Sequence, residues 1–299
     1  IPTGIGKLDE ALNGGLGKKE LGLIAGSMGF GKTCLSTAIA SYAATYRCDS
    51  NFNNGYKVLQ IVFEDGIVAI ERKHIARITN VEACNLSKDE NQETIKNFIN
   101  SYKDKDTLNN NLRIMEFLSG EPTAKDIELY LNKLINSGFK PDVMILDYFE
   151  CLDKGSIAKG ESEWNAEGRV MRKFENMAKK YDIAVWITTQ GSKDSVASEI
   201  MTNDKIGGSV KKTQIAHVIL TIARTQEDVR KKVATLALTK NRFGQSGQVW
   251  AGVEFDNGTC RISTDNVEEF KDMTDFGRKQ EEDQLEMQRD IFQQIKKAN

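Results

Sequence analysis

The sequence predicts an α/β protein built on an open, mostly parallel twisted sheet with helices on both faces. Three observations predict it. Short apolar runs alternate with helix-periodic stretches along most of the chain. Several runs are apolar throughout, as strands buried on both faces are. The run LGLIAG opens onto the glycine-rich turn GSMGFGKT, residues 26–33, and a helix-forming segment follows it.

The elements follow in order. The first strand is expected over 21–26 and the first long helix over 34–46, apolar at Leu35, Ile39 and Ala43. VLQIVFED (58–65) is the next strand, and 68–77 the next helix. NLRIMEF (111–117) is a third strand. DIELYLNKLINSG (126–138) places Ile127, Leu131, Leu134 and Ile135 on one helix face, and Gly138 suits its end. DVMILDY (142–148) is a fourth strand, and 170–181 a helix with Val170, Phe174, Met177 and Ala178 inward. AVWITTQ (184–190), HVILTIAR (217–224) and ATLALTK (234–240) complete the strands. Two stretches break the alternation. Residues 85–110 form a polar insertion of helix and loop, and the charged end carries only loosely spaced apolar residues. The expected division is a nucleotide-binding core over 1–264 and a charged tail, helical or disordered, over 265–299.

Composition narrows the classes. With 39% hydrophobic and 28% charged residues among 299, the chain reads as one ordinary globular protein. The formal net charge of -2 means that a polyanion must be met by a local basic patch. Five scattered cysteines without CxxC spacing suggest a reducing compartment, and only two histidines argue against a zinc site. No apolar run is long enough to span a membrane, and IPTGIGKLDE has no signal-peptide character, so a cytoplasmic protein is expected. The missing initial Met suggests a fragment or processed product.

GSMGFGKT fits G-x-x-x-x-G-K-[ST] at every defined position, between a strand and a helix. Its glycines let successive N–H groups converge on phosphates, and the helix that follows adds its positive end. The candidate nucleotide-binding residues are Gly26, Ser27, Met28, Gly29, Phe30, Gly31, Lys32, Thr33 and Cys34. Lys32 supplies charge to the β- and γ-phosphates of ATP, and Thr33 offers its hydroxyl to Mg²⁺. Asp147, ending the apolar run VMILD, suits the carboxylate that holds the Mg²⁺ water shell; a strand-end Asp also caps turns. A base that activates water is sought at the same sheet edge, where Glu64 is preferred to its neighbour Asp65. Gln190 ends another apolar run and suits a γ-phosphate sensor, or simply a polar strand end. Lys240 and Arg242, two apart in TKNRFGQSG, point the same way on an extended segment; spacing alone favours a solvent-facing pair.

These motifs together resemble the RecA-type ATPase core of DnaB-like hexameric replicative helicases, the class that includes phage primase-helicases. TGIGKLDEALNGGLGKKELGLIAG resembles the opening of that core. GSMGFGKT, VFED, ILDY, TTQ and KNRFGQSG follow in the family's order, over about residues 2–262. The resemblance implies Glu64 as catalytic base, Asp147 and Thr33 as metal residues and Gln190 as the link to a DNA-binding loop. It implies that Lys240 and Arg242 reach a neighbour's nucleotide in a homo-oligomeric ring, as a hexamer does. Single-stranded DNA is the implied partner, with primase or other replisome proteins. The DNA-facing segment is expected after Gln190, at Lys205, Gly207, Gly208, Ser209, Lys211 and Lys212. There KIGGSVKK departs from the family's Arg-Glu-Ser-Gly-like pattern, so the position carries over better than the contacts. The family's N-terminal collar or primase domain and linker helix have no counterpart before Ile1, so ring assembly is expected to need them or another protein. A KaiC- or RadA-like ATPase without unwinding, and a nucleotide-dependent assembly module, are the alternatives. KNRFGQSG and the complete set Lys32, Asp147 and Glu64 favour the helicase.

Overall fold

The computed structural model describes residues 1–46, 55–101, 105–155, 162–191, 200–203, 206 and 210–298. After α1 (Gly6–Ala11) the chain enters β1 (Leu21–Gly26), the phosphate turn and α2 (Lys32–Thr45). It continues through β2 (Val58–Val62), α3 (Ile67–Thr79), α4 (Asp89–Ser101), α5 (Lys105–Asn111) and β3 (Leu112–Glu116). Next come α6 (Ala124–Asn136), β4 (Val143–Asp147), α7 (Glu163–Tyr181), β5 (Ala184–Gln190) and α8 (Val210–Ile215). The last part holds β6 (Val218–Ala223), α9 (Gln226–Lys231), β7 (Val233–Asn241), β8 (Gln248–Asp256), β9 (Arg261–Ser263), β10 (Glu268–Phe270) and α10 (Met273–Ala298).

One sheet collects all these strands in the order β10-β8-β7-β6-β1-β5-β4-β2-β3, with β9 on β8. The six strands from β3 to β6 run parallel, and β7 to β10 extend the sheet antiparallel. Parallel strands need helical crossovers, and these cover both faces. On one face Ile24, Val143, Ile145 and Trp186 join α1 and α2; on the other Leu23, Met144, Leu146 and Ile187 join α6 and α7. Alternate residues of one strand therefore enter different cores, which is why these runs are apolar throughout. Gly22 pairs with Trp186 across the sheet, and a Cβ there would lie 2.3 Å from the indole.

Three elements differ from their expected form. α2 is buried around nearly its whole circumference, including Ser36, Thr37 and Ser41, because α3 and α5 close over the side away from the sheet. Its small residues permit that close approach. β2 stops at Val62, which pairs with Asp147 and Glu116 at the ends of its neighbours, so Glu64 lies beyond the sheet edge. α7 begins at Glu163, before the apolar periodicity starts, because Ser162 caps it by accepting the Asn165 N–H. The charged end is a helix, α10, anchored by Phe276 edge-on to Phe270.

Candidate active site

β1 delivers the phosphate turn to the carboxyl edge of the sheet, with Gly26 beside Gln190 of β5. That edge, outside the crossover between β1 and its neighbours, is where open parallel sheets bind ligands. Gly31 has φ +98°, and a Cβ there would lie 2.5 Å from the Phe255 ring and 2.7 Å from Asn257 Oδ1. Gly29, at φ +80°, has nothing near it. Ser27 and Phe30 are buried, Met28 projects outward, and Cys34 is buried beneath the turn. Lys32 is 9% exposed, and its ammonium donates to the carbonyls of Gly26 (2.9 Å) and Ser27 (3.0 Å). Burial lowers its pKa, while the charges of Asp147, Glu150 and Glu64 oppose that effect. A buried cation resting on neutral carbonyls is suited to an arriving anion.

Asp147 sits at the end of β4 and is buried. Its carboxylate accepts from Thr188 Oγ1 (2.6 Å) and Ser36 Oγ (3.2 Å), and also from the Thr33 hydroxyl. Burial raises its pKa against those hydroxyls and Lys32, and a cation beside it would favour the charged form. Among the described residues no group of three or more His, Cys, Asp or Glu could hold a metal by itself. One carboxylate and one hydroxyl fit Mg²⁺, which keeps waters and takes its other oxygens from phosphates.

Glu64 projects past β2, and Tyr148 Oη donates to its Oε1 at 2.7 Å. Burial, then the hydrogen bond to Glu64, holds the Tyr148 pKa well above its ordinary value, so the phenol stays a donor. Asp65 is instead ion-paired to Lys73. Glu64, Tyr148, Asp147, Lys32, Gln190 and Asn257 share one cavity of about 250 Å³, which Asp65 does not line. A larger cavity, about 910 Å³ between α2, α3 and β7 to β9, contains none of the motif residues. The smaller one is lined by residues of the glycine-rich turn, Met28, Gly29, Gly31, Lys32 and Thr33.

Lys240 and Arg242 lie at the other end of the sheet. Lys240 pairs with Ile219 near the start of β6, and the Arg242 N–H donates to His217 O. By strand register the phosphate turn begins about 10 Å along the strands from Lys240 and about 16 Å from Arg242, and about 10 Å across them. Lys240 Nζ donates to Thr213 O (2.6 Å) and Gln214 O (3.0 Å), and Arg242 donates to Gln214 O (3.3 Å). Both cations thus rest on the carbonyl end of α8, a partially negative helix terminus. Among the described residues neither has a carboxylate partner. They point together, as their spacing predicts, and away from their own phosphate turn.

A family model of the DnaB-like helicase C-terminal domain matches residues 1–263. The chain belongs to the DnaB-like helicase family. Two solved structures share the fold. The ATPase domain of one helicase is 17% identical, with a TM-score of 0.73 over 89% of this chain and 91% of that one. A DnaB-like replicative helicase, described with its interactions with primase, is 17% identical with a TM-score of 0.72 over 88% of this chain. This chain spans 61% of that longer protein. No curated protein matches. The mostly parallel, helix-flanked sheet is the RecA-like arrangement of these DnaB-like ATPase domains.

In this DnaB-like domain the expected DNA-facing residues divide. Lys205, Gly207, Gly208 and Ser209 lie outside the described residues. Lys211 is exposed and hydrogen-bonded to Asn165. Lys212 requires correction. It is fully buried between Glu150 and Glu167, so its ammonium is not available to a phosphate backbone. Sequence reasoning missed Tyr148, Lys73 and Asn257. Tyr148 had a signal, since it directly follows Asp147. Asn257 reaches the cavity only through the hairpin, where the buried Arg224 holds its Oδ1 at 3.0 Å.

Proposed function

We propose that this domain is the motor of a ring-forming, ATP-driven DNA helicase, hydrolysing ATP between subunits while moving along single-stranded DNA. The separation of Lys240 and Arg242 from their own phosphate turn carries the reading. A pair that cannot serve its own site, on a domain with an otherwise complete one, suits an arginine finger supplied to a neighbour. That arrangement requires a head-to-tail interface, which closes into a ring, here a hexamer.

The chain's residues divide the work. The phosphate turn and Lys32 hold and orient the triphosphate, and Thr33 and Asp147 hold Mg²⁺. When bound, Mg²⁺ neutralises charge on the β- and γ-phosphate oxygens. Glu64, oriented by Tyr148, accepts the proton of the attacking water. Gln190 senses the γ-phosphate and passes its state to the segment that follows. Lys240 and Arg242 complete the neighbouring site. Positioning and charge do most of this catalysis. The segment around Lys205 to Lys211 tracks the strand backbone without sequence preference. Among the described residues no helix is long and apolar enough to cross a membrane. A replicative role places the protein in a bacterial or phage-infected cytoplasm, with primase or other replisome proteins as partners.

ATP hydrolysis measured with and without single-stranded DNA, across protein concentrations, tests this reading. It predicts strong stimulation that rises cooperatively with concentration. Turnover indifferent to DNA would favour a KaiC- or RadA-like regulatory ATPase. Failure to hydrolyse under any condition would favour an assembly module.

A further inference from the structure

The burial of Lys212 removes it from the strand and gives it a different setting. It lies on α8, 0% exposed, with its ammonium 3.0 Å from Glu150 Oε1 and 3.4 Å from Glu167 Oε2. It also reaches Thr189 Oγ1 at 3.2 Å and lies 4.8 Å over the Phe149 ring. Glu167 Oε2 has no hydrogen bond of its own, so the ion pair is its compensation. Glu167 Oε1 is bonded to Lys154 at 2.8 Å. The result is a closed cluster beneath the sheet edge, drawn from the loop after β4, α7, β5 and α8.

Glu150 is the hub. It follows Asp147 by three residues, accepts from the Thr189 hydroxyl, and accepts the Gln190 N–H at 3.3 Å. Its carboxylate is therefore bonded to residues on both sides of the segment 191–209: Gln190 before it and Lys212 after it. Gln190 also lines the nucleotide cavity. An apolar cluster of the same volume would give comparable stability, because two desolvated charges largely offset their own attraction. What an ion pair adds is a directional link, whose partners must move together or lose a buried bond.

We propose that the Glu150–Lys212 pair is the tie through which occupancy of the phosphate site is transmitted to α8. Lys212 is a positioning residue that acts through Glu150, Thr189 and Gln190. A shift of Gln190 or the β4 end toward a bound γ-phosphate moves Glu150, and the pair carries α8 with it. This rests on the motor reading above in one respect: α8 begins within the segment proposed to hold the strand. The link itself needs no DNA.

Amide hydrogen exchange of α8 tests it, with and without a non-hydrolysable ATP analogue and Mg²⁺. Wild type is expected to change its α8 exchange about 5-fold or more on binding, a typical coupling between sites. Lys212→Met and Glu150→Gln are each expected to abolish most of that change while nucleotide affinity stays within about 2-fold. The double variant is expected to be no worse than either single one. Glu150→Gln leaves a partly exposed amide in place of a carboxylate, so it serves if Lys212→Met does not fold. A wild-type α8 indifferent to nucleotide would overturn the proposal. So would a nucleotide response of normal size in Glu150→Gln, or a general loss of protection in Lys212→Met that leaves the response intact. An α8 response lost in both variants, in a protein whose turnover ignores DNA, would support the tie and reject the motor.

Discussion

The two edges of the sheet hold their cations in opposite ways. At the carboxyl edge Lys32 is buried within a cavity whose wall also holds Asp147, Glu64 and Gln190. At the amino edge Lys240 and Arg242 rest on carbonyls of α8, and the adjoining Phe243 is 67% exposed. The first edge has acids, hydroxyls and a concave space. The second has cations and an outward aromatic ring stacked at 6.0 Å on His217. The first sets its cation among acids in a concave space; the second leaves its cations on backbone carbonyls, with no carboxylate partner among the described residues. This teaches that the presence of motif residues does not make a site; the fold decides which of them meet within one chain.

The sharpest way to break the comparison is Arg242→Ala. A finger acting on a neighbour contributes about 10³-fold or more to turnover, so loss on that scale is expected, with folding unchanged. A fall of less than about 3-fold in steady-state hydrolysis would leave the amino edge without a catalytic part.

The carboxyl edge is sharpened by comparing two adjacent acids. Glu64→Gln should lower kcat by about 10²–10⁴-fold, the range for a general base, with little change in KM. Asp65→Asn removes a partly exposed ion pair that leaves Lys73 at the cavity, and should cost less than about 3-fold. Equal losses in the two variants would undo the assignment of the base. Tyr148→Phe, which removes the donor to Glu64, should fall between them.

The smallest effect concerns the layer behind the phosphate turn. His74 is buried between Ser41 Oγ (2.6 Å to Nδ1) and Gln60 Oε1 (2.9 Å to Nε2), linking α2, α3 and β2. Burial, assisted by Arg77, lowers its pKa to about 3. The unfolded chain then takes up the proton first as pH falls. The contribution is complete above the ordinary histidine value near 6.5 and is lost progressively as pH falls toward about 3. Between pH 7 and pH 5 wild type should lose about 2 kcal/mol relative to His74→Gln in denaturant midpoints. Parallel behaviour of the two proteins would show that His74 is charged or solvated in the fold.

Much of the fold was legible because parallel strands buried on both faces leave uninterrupted apolar runs. β1 and β5 have the boundaries expected of LGLIAG and AVWITTQ. The start of α7 was hidden because its first turns are polar and held by a cap rather than by periodicity. Of the candidate site residues, Asp147, Glu64 and Gln190 stand at or just past strand ends while Lys32 and Thr33 open the helix after one, and the convergence of those ends brings all five to one cavity. Strand-end placement preferred Glu64 to Asp65 in the sequence; which neighbour meets each acid, Tyr148 or Lys73, was not legible there because both come from other elements. Lys212 misled for a related reason. A lysine in KIGGSVKK resembles a solvated charge, and only the approach of Glu150 and Glu167 from distant elements buries it.

The central claim is that a complete site takes residues from two chains. The most direct measurement mixes Lys32→Ala with Arg242→Ala protein, each inactive alone, and follows ATP hydrolysis with single-stranded DNA. At some interfaces of a mixed ring an intact phosphate turn from one chain meets an intact finger from the other. With random assembly, about a quarter of interfaces are complete. The account predicts that mixing restores hydrolysis toward that fraction of wild type. Mixed rings that form and remain inactive would contradict it.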